Sequence, residues 1–593
     1  MPEQRQKRST PKFVERWRER RANAAPRLNL RFVRRTLRLA RPYWGSDEKT
    51  KARGLLLILF LLLVGYTWFA VLFNQQSGEF TSALAARNAH RFWRSIRVFF
   101  TLLVIGVPID AYYYYVRNTL ALHWRRWLTN RYLNRYFAHR AFYHLVTKTE
   151  IDNPDQRIAD DIYSFTQQSL TFVLVFANAL FQLIGFGRVL WSVSTSLVWI
   201  LFLYAAIVTL TTFKIFGEKL VFLNFTQRRR EADFRFGLVR VRENAESIAL
   251  YGGERMEKHH LHGVYAKLFD NAKRVIRWSL GLNFFYFGNN YLTLVLPILI
   301  IAPRVLSGQI EVGRVVEATG AFGAILAALT ILIDNLEDLS RFAASVSRLE
   351  TLEHAIAASA APPGSSKIRF EEGEDFDLHF TLQIPNSDRI LIKDLDVAIR
   401  SGEGLMIVGP SGLGKSSLLR AIAGLWDTGS GWLRRPPHQD VLFLPQHAYM
   451  PAGSLRVQLN YPHLERKVSD DDLRAVLKQV NLPDLEAECG GFDRELDFEK
   501  VLSAGERQRL ALARVLLNNP RFVLLDEATS ALDTENEMDL YEKLAAAHTT
   551  LISVCHHPAL AKFHSHILEL RPGGQWKLHA ARDFRVPAEV QEW

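Results

Sequence analysis

The residues best suited to chemistry lie in the second half of the chain. LMIVGPSGLGKSSLLRAIAGL (Leu405–Leu425) reads as an apolar strand, a glycine-rich turn and a helix. Gly409, Gly412 and Gly414 let the backbone N–H groups curl around phosphate oxygens, with Ser411 in the same turn, and the helix N-terminus adds the positive end of its dipole. Lys415 is placed to reach β- and γ-phosphates. The Ser416 hydroxyl can ligate Mg²⁺, and Ser417 follows it in the first turn.

A second strand, RFVLLDEATSALD (Arg521–Asp533), carries four apolar residues, Phe522–Leu525, and ends in two acids. Asp526 sits where a carboxylate can hold Mg²⁺ directly or through water. Glu527 is placed to polarise a water that attacks a γ-phosphate. An acid pair at a strand end is otherwise a solvated terminus. Beside a phosphate-binding loop, it reads as the metal and base half of a nucleotide-hydrolysing site.

The chain that must position these groups has 593 residues, enough for two domains, and carries a formal net charge of +13. Long apolar runs fill the first half and a soluble composition fills the second. Gly54–Leu72, Val98–Val116, Leu170–Leu190, Leu197–Phe213, Phe287–Ala302 and Val315–Ile333 each approach the roughly 20 residues that cross a bilayer. Arg31, Arg34, Arg35, Arg38 and Arg41 precede the first span, and HWRRWLTNRYLNRY follows the second. Both segments are therefore expected on the cytoplasmic side. Trp191–Ser196 is expected as a tight outer hairpin, and Lys214–Asn283 as cytoplasmic helix running beyond the bilayer. No cleavable signal peptide is visible. Cys489 and Cys555, both in the soluble half, suggest no disulfide framework. The basic stretch QKRSTPKFVERWRERR suits anionic lipid headgroups better than nucleic acid, and no nucleic-acid partner is expected.

These readings divide the chain into a basic cytoplasmic segment 1–50, a six-helix transmembrane domain 51–354, a linker 355–367 (AIAASAAPPGSSK) and a nucleotide-binding domain 368–593. Small residues, prolines and serines in the linker bury little surface.

Between the two chemical stretches lies VLSAGERQRLALARVLL (Val501–Leu517), and with it the second half resembles the ABC ATPase superfamily. Gln446, in LFLPQ, resembles the Q-loop glutamine that senses Mg²⁺ and water. Leu502–Glu506 resembles the ABC signature, Ser530–Asp533 the D-loop, and His556 the switch histidine that contacts the γ-phosphate. The resemblance implies ATP and Mg²⁺ as cofactors. It implies catalytic roles for Glu527, His556 and Gln446, and metal contacts from Ser416, Gln446 and Asp526. It also implies a nucleotide contact from Asp533, and a homodimer in which Ser503 and Gly505 of one chain close on the ATP held at Lys415 of the other. Two departures stand out. The signature reads LSAGE rather than LSGGQ. The stretch LQIPNSDRI lacks the usual adenine-stacking aromatic, leaving Ile384 or Pro385 in its place.

In the first half, Arg38–Lys49, Trp124–Leu133, Ile151–Ile162 and Glu231–Glu254 are similar to the SbmA/BacA-type uptake family and, beyond it, to the D subfamily of ABC half-transporters. The resemblance implies a type IV exporter-like membrane fold ahead of an α/β P-loop ATPase. It also implies import of peptides, including antimicrobial ones, or of bulky hydrophilic compounds such as bleomycin or cobalamin, across a bacterial inner membrane. Export of lipids or drugs, or carriage of fatty acyl-CoA, is the alternative. Asn153-Pro154 predicts a turn followed by a short helix. Charges inside spans usually face a cavity, which makes Asp110, Glu317 and Asp334 candidates for the cargo path. Arg188, Arg304 and Arg314 are placed to pair with them instead.

Overall fold

A computed structural model describes residues 30–148, 151, 153–359, 367–385, 387, 389–555 and 557–584. The basic stretch of residues 6–21 lies outside them. The chain forms two compact units that divide after Ala360.

The first unit is helical. Helix α1 (Leu30–Trp44) precedes α2 (Lys49–Ala85) and α3 (Ala89–Phe137). After a break at His139, α4 (Ala141–Lys148) follows. Asn153, in the left-handed region, starts a short turn that runs through Arg157–Asp161 into α5 (Ile162–Val193). The Asn-Pro turn thus forms as expected, but the helix after it is not a short one: it runs on without a break to Val193. Helix α6 (Thr195–Thr211) continues through one wider turn, Thr212–Gly217, into α7 (Glu218–Glu243). Then come α8 (Ala245–Tyr251), α9 (Glu254–Leu306), α10 (Gly313–Asp334) and α11 (Leu336–Ser359).

Among the described residues, six helical stretches are long and apolar enough to cross a membrane. At 1.5 Å per residue the 53 residues of α9 extend about 80 Å, far beyond a hydrocarbon core of about 30 Å. The hairpin between α5 and α6 is tighter than expected. Ser194 alone is extended between α5 and α6, and Arg304 Nη1 donates to the Val193 carbonyl at 2.8 Å, satisfying an end of α5 that has no helical partner. Helix α11 runs to Ser359, inside the stretch expected as linker, because alanines there are strong helix formers.

Aromatic packing holds the unit near α1: Tyr43 stacks on Trp124 at 5.6 Å, and Phe32 meets Phe342 edge-on at 5.6 Å. The IDNPDQRIADDI motif has a structural task. Arg157 Nη1 donates to Thr351 Oγ1 at 2.7 Å, and the buried Asp161 accepts from Arg348 Nε at 2.6 Å, fixing the start of α5 to α11. At the opposite end, Arg91 bridges Glu79 at 2.6 Å and Glu311 at 2.9 Å, tying α2, α3 and the α9–α10 connection together.

The second unit begins with β1 (Arg369–Glu372), β2 (Phe376–Gln383) and β3 (Ile390–Ile399). With β5 (Gly429–Arg435) they form a sheet ordered β1-β5-β2-β3. The central sheet contains β4 (Leu405–Val408), β6 (Val441–Leu444), β7 (Phe522–Asp526), β8 (Thr550–Val554), β9 (His566–Arg571) and β10 (Gln575–Ala580). Its order is β10-β9-β4-β8-β7-β6, parallel except for β10. Strands β7 and β8 are buried throughout, as parallel strands covered on both faces must be. Register decides function here. Val554 pairs with both Ile407 and Asp526, so the carboxyl ends of β4, β8 and β7 finish side by side. Ligands bind parallel sheets at that edge.

Candidate nucleotide-hydrolysing site

The loop leaving β4 turns at Gly409, whose φ is 143°, and at Gly412 and Gly414, at 83° and 98°. A Cβ on Gly409 would lie 2.6 Å from the Leu570 carbonyl oxygen, so only glycine fits there. Gly414 leads into α12 (Lys415–Ile422). Lys415 is 7% exposed, and its Nζ donates to the carbonyls of Gly409 and Pro410 at 2.7 and 3.3 Å. Burial pushes its pKa down, against the pull of Glu527 and Asp526. A buried ammonium held only by carbonyls fits a polyphosphate well.

Ser416 Oγ donates to Asp526 Oδ1 at 2.8 Å, bringing together the hydroxyl and carboxylate that the sequence assigns to Mg²⁺. Burial raises the Asp526 pKa, and the Ser416 bond works against that rise. A buried carboxylate beside a hydroxyl and a lysine is a donor set suited to a hard divalent cation. Glu527 follows with φ 49°, left-handed backbone that costs a non-glycine residue about 1–2 kcal/mol. Its N–H is held by the Val554 carbonyl at 3.0 Å, and its Oε2 accepts from Gln446 Nε2 at 2.8 Å. Strain held by the surroundings is a mark of functional sites. Lys415, Ser416, Asp526, Gln446 and Glu527 thus converge. Bound ATP and Mg²⁺ would be held by Lys415 with the loop N–H groups, and by Ser416 and Asp526, supplying the phosphoanhydride and its charge neutralisation. His556 lies outside the described residues.

The signature residues form a second group. Ser503 caps α14 (Ala504–Asn518; α13 is Leu455–Asn460). Glu506 N donates to Ser503 Oγ at 3.3 Å, and Ser503 N donates to Glu506 Oε2 at 2.8 Å. The LSAGE departure therefore supplies a complete capping box. Ser503 Oγ, donating to Glu506 Oε2 at 2.7 Å, and then the Ser503 N–H hold the Glu506 carboxyl below its ordinary pKa. A Cβ on Gly505 would meet the Ala531 carbonyl at 3.3 Å, placing the signature against the D-loop. Asp533, expected at the nucleotide, is engaged within its own chain. It caps α15 (Thr534–Ala546), accepting from Asn536 N at 2.8 Å and Asn536 Nδ2 at 2.7 Å, because its extended backbone opens a helix with four unsatisfied N–H groups.

Sequence reasoning missed three groups. Gln508 is buried on α14. Its Nε2 donates to the Gln446 carbonyl at 3.3 Å and to Ser530 Oγ at 3.4 Å, and its Oε1 accepts from Ala531 N at 2.9 Å. One side chain thus joins Q-loop, signature helix and D-loop. Its phase with Leu512 and Val515, four and seven residues on, marks the buried face. Arg514 is buried against the carbonyls of Gln458 and Tyr449 at 2.6 and 2.7 Å, and burial pushes its pKa down to about 10. Buried Glu537 accepts from Thr529 Oγ1 at 2.5 Å and is also bonded to His557 Nδ1, linking the segment after Glu527 to the one after β8. At the expected adenine position Ile384 opens a turn closed by its N–H bond to the Arg389 carbonyl at 3.0 Å. Leu391 supplies a further aliphatic wall, with Cδ1 3.3 Å from where a Gly414 Cβ would be.

The cargo-path acids separate. Asp110 Oδ1 is buried with no hydrogen-bond partner among the described residues. Glu317 is 7% exposed and pairs with Arg314 at 2.8 Å. Its Cγ would be 2.4 Å from a Cβ on Gly78, so Glu317 packs between α10 and α2 and is not a free cavity acid. Arg304 is likewise used on a backbone carbonyl. Asp334 ends α10, and its side chain lies outside the described residues.

The arrangement matches known proteins across both units. The model for ABC transporter transmembrane region 2 matches residues 39–306, and that for ABC transporter matches 392–530. An uncharacterized ABC transporter ATP-binding protein of Synechocystis sp. is 43% identical over 84% of this chain and 77% of its own. ABC transporter D family member 2, chloroplastic, of Arabidopsis thaliana is 35% identical over 90% of this chain and 85% of its own. The human lysosomal cobalamin transporter ABCD4 is 31% identical over 94% of this chain and 98% of its own. Half-transporters of the D family work as dimers in a membrane, and the ATPase domain uses ATP with Mg²⁺. A glycine-rich loop with a buried lysine, a buried carboxylate and a strained glutamate at one sheet edge, in a chain whose described residues include six helices long and apolar enough to cross a membrane, belong to an ATP-hydrolysing ABC transporter with fused membrane and ATPase domains, close to the D subfamily, and this chain is a member of that family.

Proposed function

We propose that a homodimer of this chain imports a bulky hydrophilic solute of the cobalamin class across a bacterial inner membrane, with the ATPase domain in the cytoplasm. The observation that carries the cargo class is likeness over nearly the whole length to a lysosomal cobalamin transporter. The arginines of α1 support the orientation. The homodimer follows from one phosphate loop and one signature per chain: Ser503 and Gly505 would complete the site at Lys415 of the partner, giving two sites by two-fold symmetry.

A second cargo, cationic peptides and bleomycin-like compounds, is favoured by the unpaired carboxyl oxygen of Asp110 in a span, where an isolated charge is costly and a cationic group would satisfy it. The four motifs resembling the SbmA/BacA-type family support the same direction. The experiment is ATP-driven uptake of labelled cyanocobalamin into inside-out and right-side-out vesicles, with the ATPase side supplied with ATP in each. Movement toward the ATPase side supports import, and movement away from it means export. If cobalamin does not move, cells lacking the chain should resist bleomycin or proline-rich cationic peptides and regain sensitivity with the wild type but not with Glu527→Gln. Resistance that rises on expression overturns the direction.

A further inference from the structure

Helix α1 carries three distinct stripes along its length. Phe32, Thr36, Leu39 and Tyr43, spaced by four, three and four residues, form the inner stripe. Leu39 and Tyr43 are buried, and Phe32 and Tyr43 are stacked against Phe342 and Trp124. Beside it, Val33 and Leu37 lie one turn apart and are 52% and 62% exposed. The outer stripe is Arg31, Arg34, Arg38 and Arg41, spaced by three, four and three residues and exposed throughout. Arg35, on the far flank, is neutralised by Glu350 at 3.0 Å, which Arg38 also approaches at 3.7 Å. Arg31, Arg34 and Arg41 make no ion pair among the described residues.

This order has a physical meaning. The inner stripe fixes the helix against α3 and α11, so its outer face is held rather than floppy. The exposed Val33 and Leu37 cost free energy in water and gain it in an acyl boundary. The arginines next to them then lie at headgroup depth. Helix α2, the first membrane-crossing helix, starts at Lys49, a few residues after α1 ends at Trp44, which keeps the strip close to the bilayer surface. An amphipathic helix with an apolar flank and an arginine flank lies in the membrane interface and is drawn to anionic lipid.

We propose that the outer stripe of α1 binds the phosphate headgroups of anionic phospholipids, with Arg31, Arg34 and Arg41 as the contacting residues. The occupant is lipid because the charged stripe adjoins an exposed apolar one, whereas a free anion or a nucleic acid would leave Val33 and Leu37 in water.

The test uses the full chain in phosphatidylcholine nanodiscs doped with spin-labelled phosphatidylglycerol or spin-labelled phosphatidylcholine, read by electron spin resonance. The motion-restricted fraction should favour phosphatidylglycerol several-fold, and salt should weaken the preference. The triple variant R31Q/R34Q/R41Q should lose most of it, leaving what the basic stretch of residues 6–21 contributes, and R31K/R34K/R41K should keep most of it. The same number of neutralised charges on α9, R255Q/K258Q/R274Q, should leave it intact. ATP hydrolysis and thermal melting report that each variant is folded. Equal association of the two lipids, or a preference undiminished in the glutamine triple, overturns the proposal. So does a lysine triple that fails as the glutamine triple does, because that would mark a structural role. Displacement of phosphatidylglycerol by an oligoribonucleotide at ordinary salt overturns lipid as the occupant.

Discussion

The Gln508 side-chain carbonyl accepts the Ala531 amide at 2.9 Å while its amide group reaches the backbone of Gln446, so one buried residue spans the Q-loop and the D-loop. Gln508→Leu keeps the volume and leaves the Ala531 amide without a partner. An orphaned buried donor costs about 1–3 kcal/mol. Melting of the ATPase domain should fall by several degrees, and turnover should fall more than ATP affinity, as measured by differential scanning fluorimetry and steady-state hydrolysis. Unchanged kcat would remove Gln508 from the positioning of Glu527.

Glu527→Gln should retain ATP binding and lower turnover by at least about 100-fold, the scale of losing a positioned base. The left-handed backbone and the Gln446 bond place its carboxylate, and glutamine keeps the shape without the charge. Hydrolysis at the wild-type rate would sink this assignment.

Mixing Glu527→Gln chains with wild-type chains should depress the activity of the wild-type chains, since each site in a homodimer takes residues from both. Native mass spectrometry in nanodiscs gives the proportion of each assembly. Activity strictly proportional to the wild-type fraction, in a monomeric particle, would refute shared sites.

Glu506→Ala should cost about 0.5–1.5 kcal/mol, the scale of one net hydrogen bond, because it removes the reciprocal half of the capping box and leaves Ser503 as the cap. The folded Glu506 carboxyl binds its proton less tightly than the unfolded one. Its contribution is therefore present above the ordinary glutamate pKa and is lost as pH falls through the lowered folded value. Glu506→Gln keeps a neutral cap, so its melting temperature should depend less on pH across that acidic window. Parallel melting curves for both proteins from neutral to acid pH would contradict the capping role.

Gly313→Ala should destabilise the membrane unit. Its Cβ would lie 1.9 Å from the Gly78 carbonyl oxygen, at the α2–α10 contact that Glu317 and Ser82 complete. Overpacking of this kind costs about 1–3 kcal/mol. Glu317→Gln should likewise lower the melting temperature in nanodiscs and leave cargo affinity unchanged. A selective loss of cargo affinity would return Glu317 to the cargo path.

The sequence alone determined the chemistry that depends on local spacing. Gly409 to Ser416 form a turn and a helix start, and Asp526 and Glu527 end a strand, whatever surrounds them; apolar length likewise marked the six spans. Contacts between residues distant in the chain were a matter for the tertiary structure. Sheet register, with Val554 paired to both Ile407 and Asp526, brought Ser416 within 2.8 Å of Asp526. Helix packing turned Glu317 from a candidate cargo acid into a partner of Arg314 beside Gly78. Gln508 became the joint between two loops because a buried amide must find partners wherever the fold supplies them, and no local pattern names those partners. Composition reveals that a charge sits in a span or a glutamine in a helix; only the packed neighbours decide whether it meets solvent, cargo or another side chain.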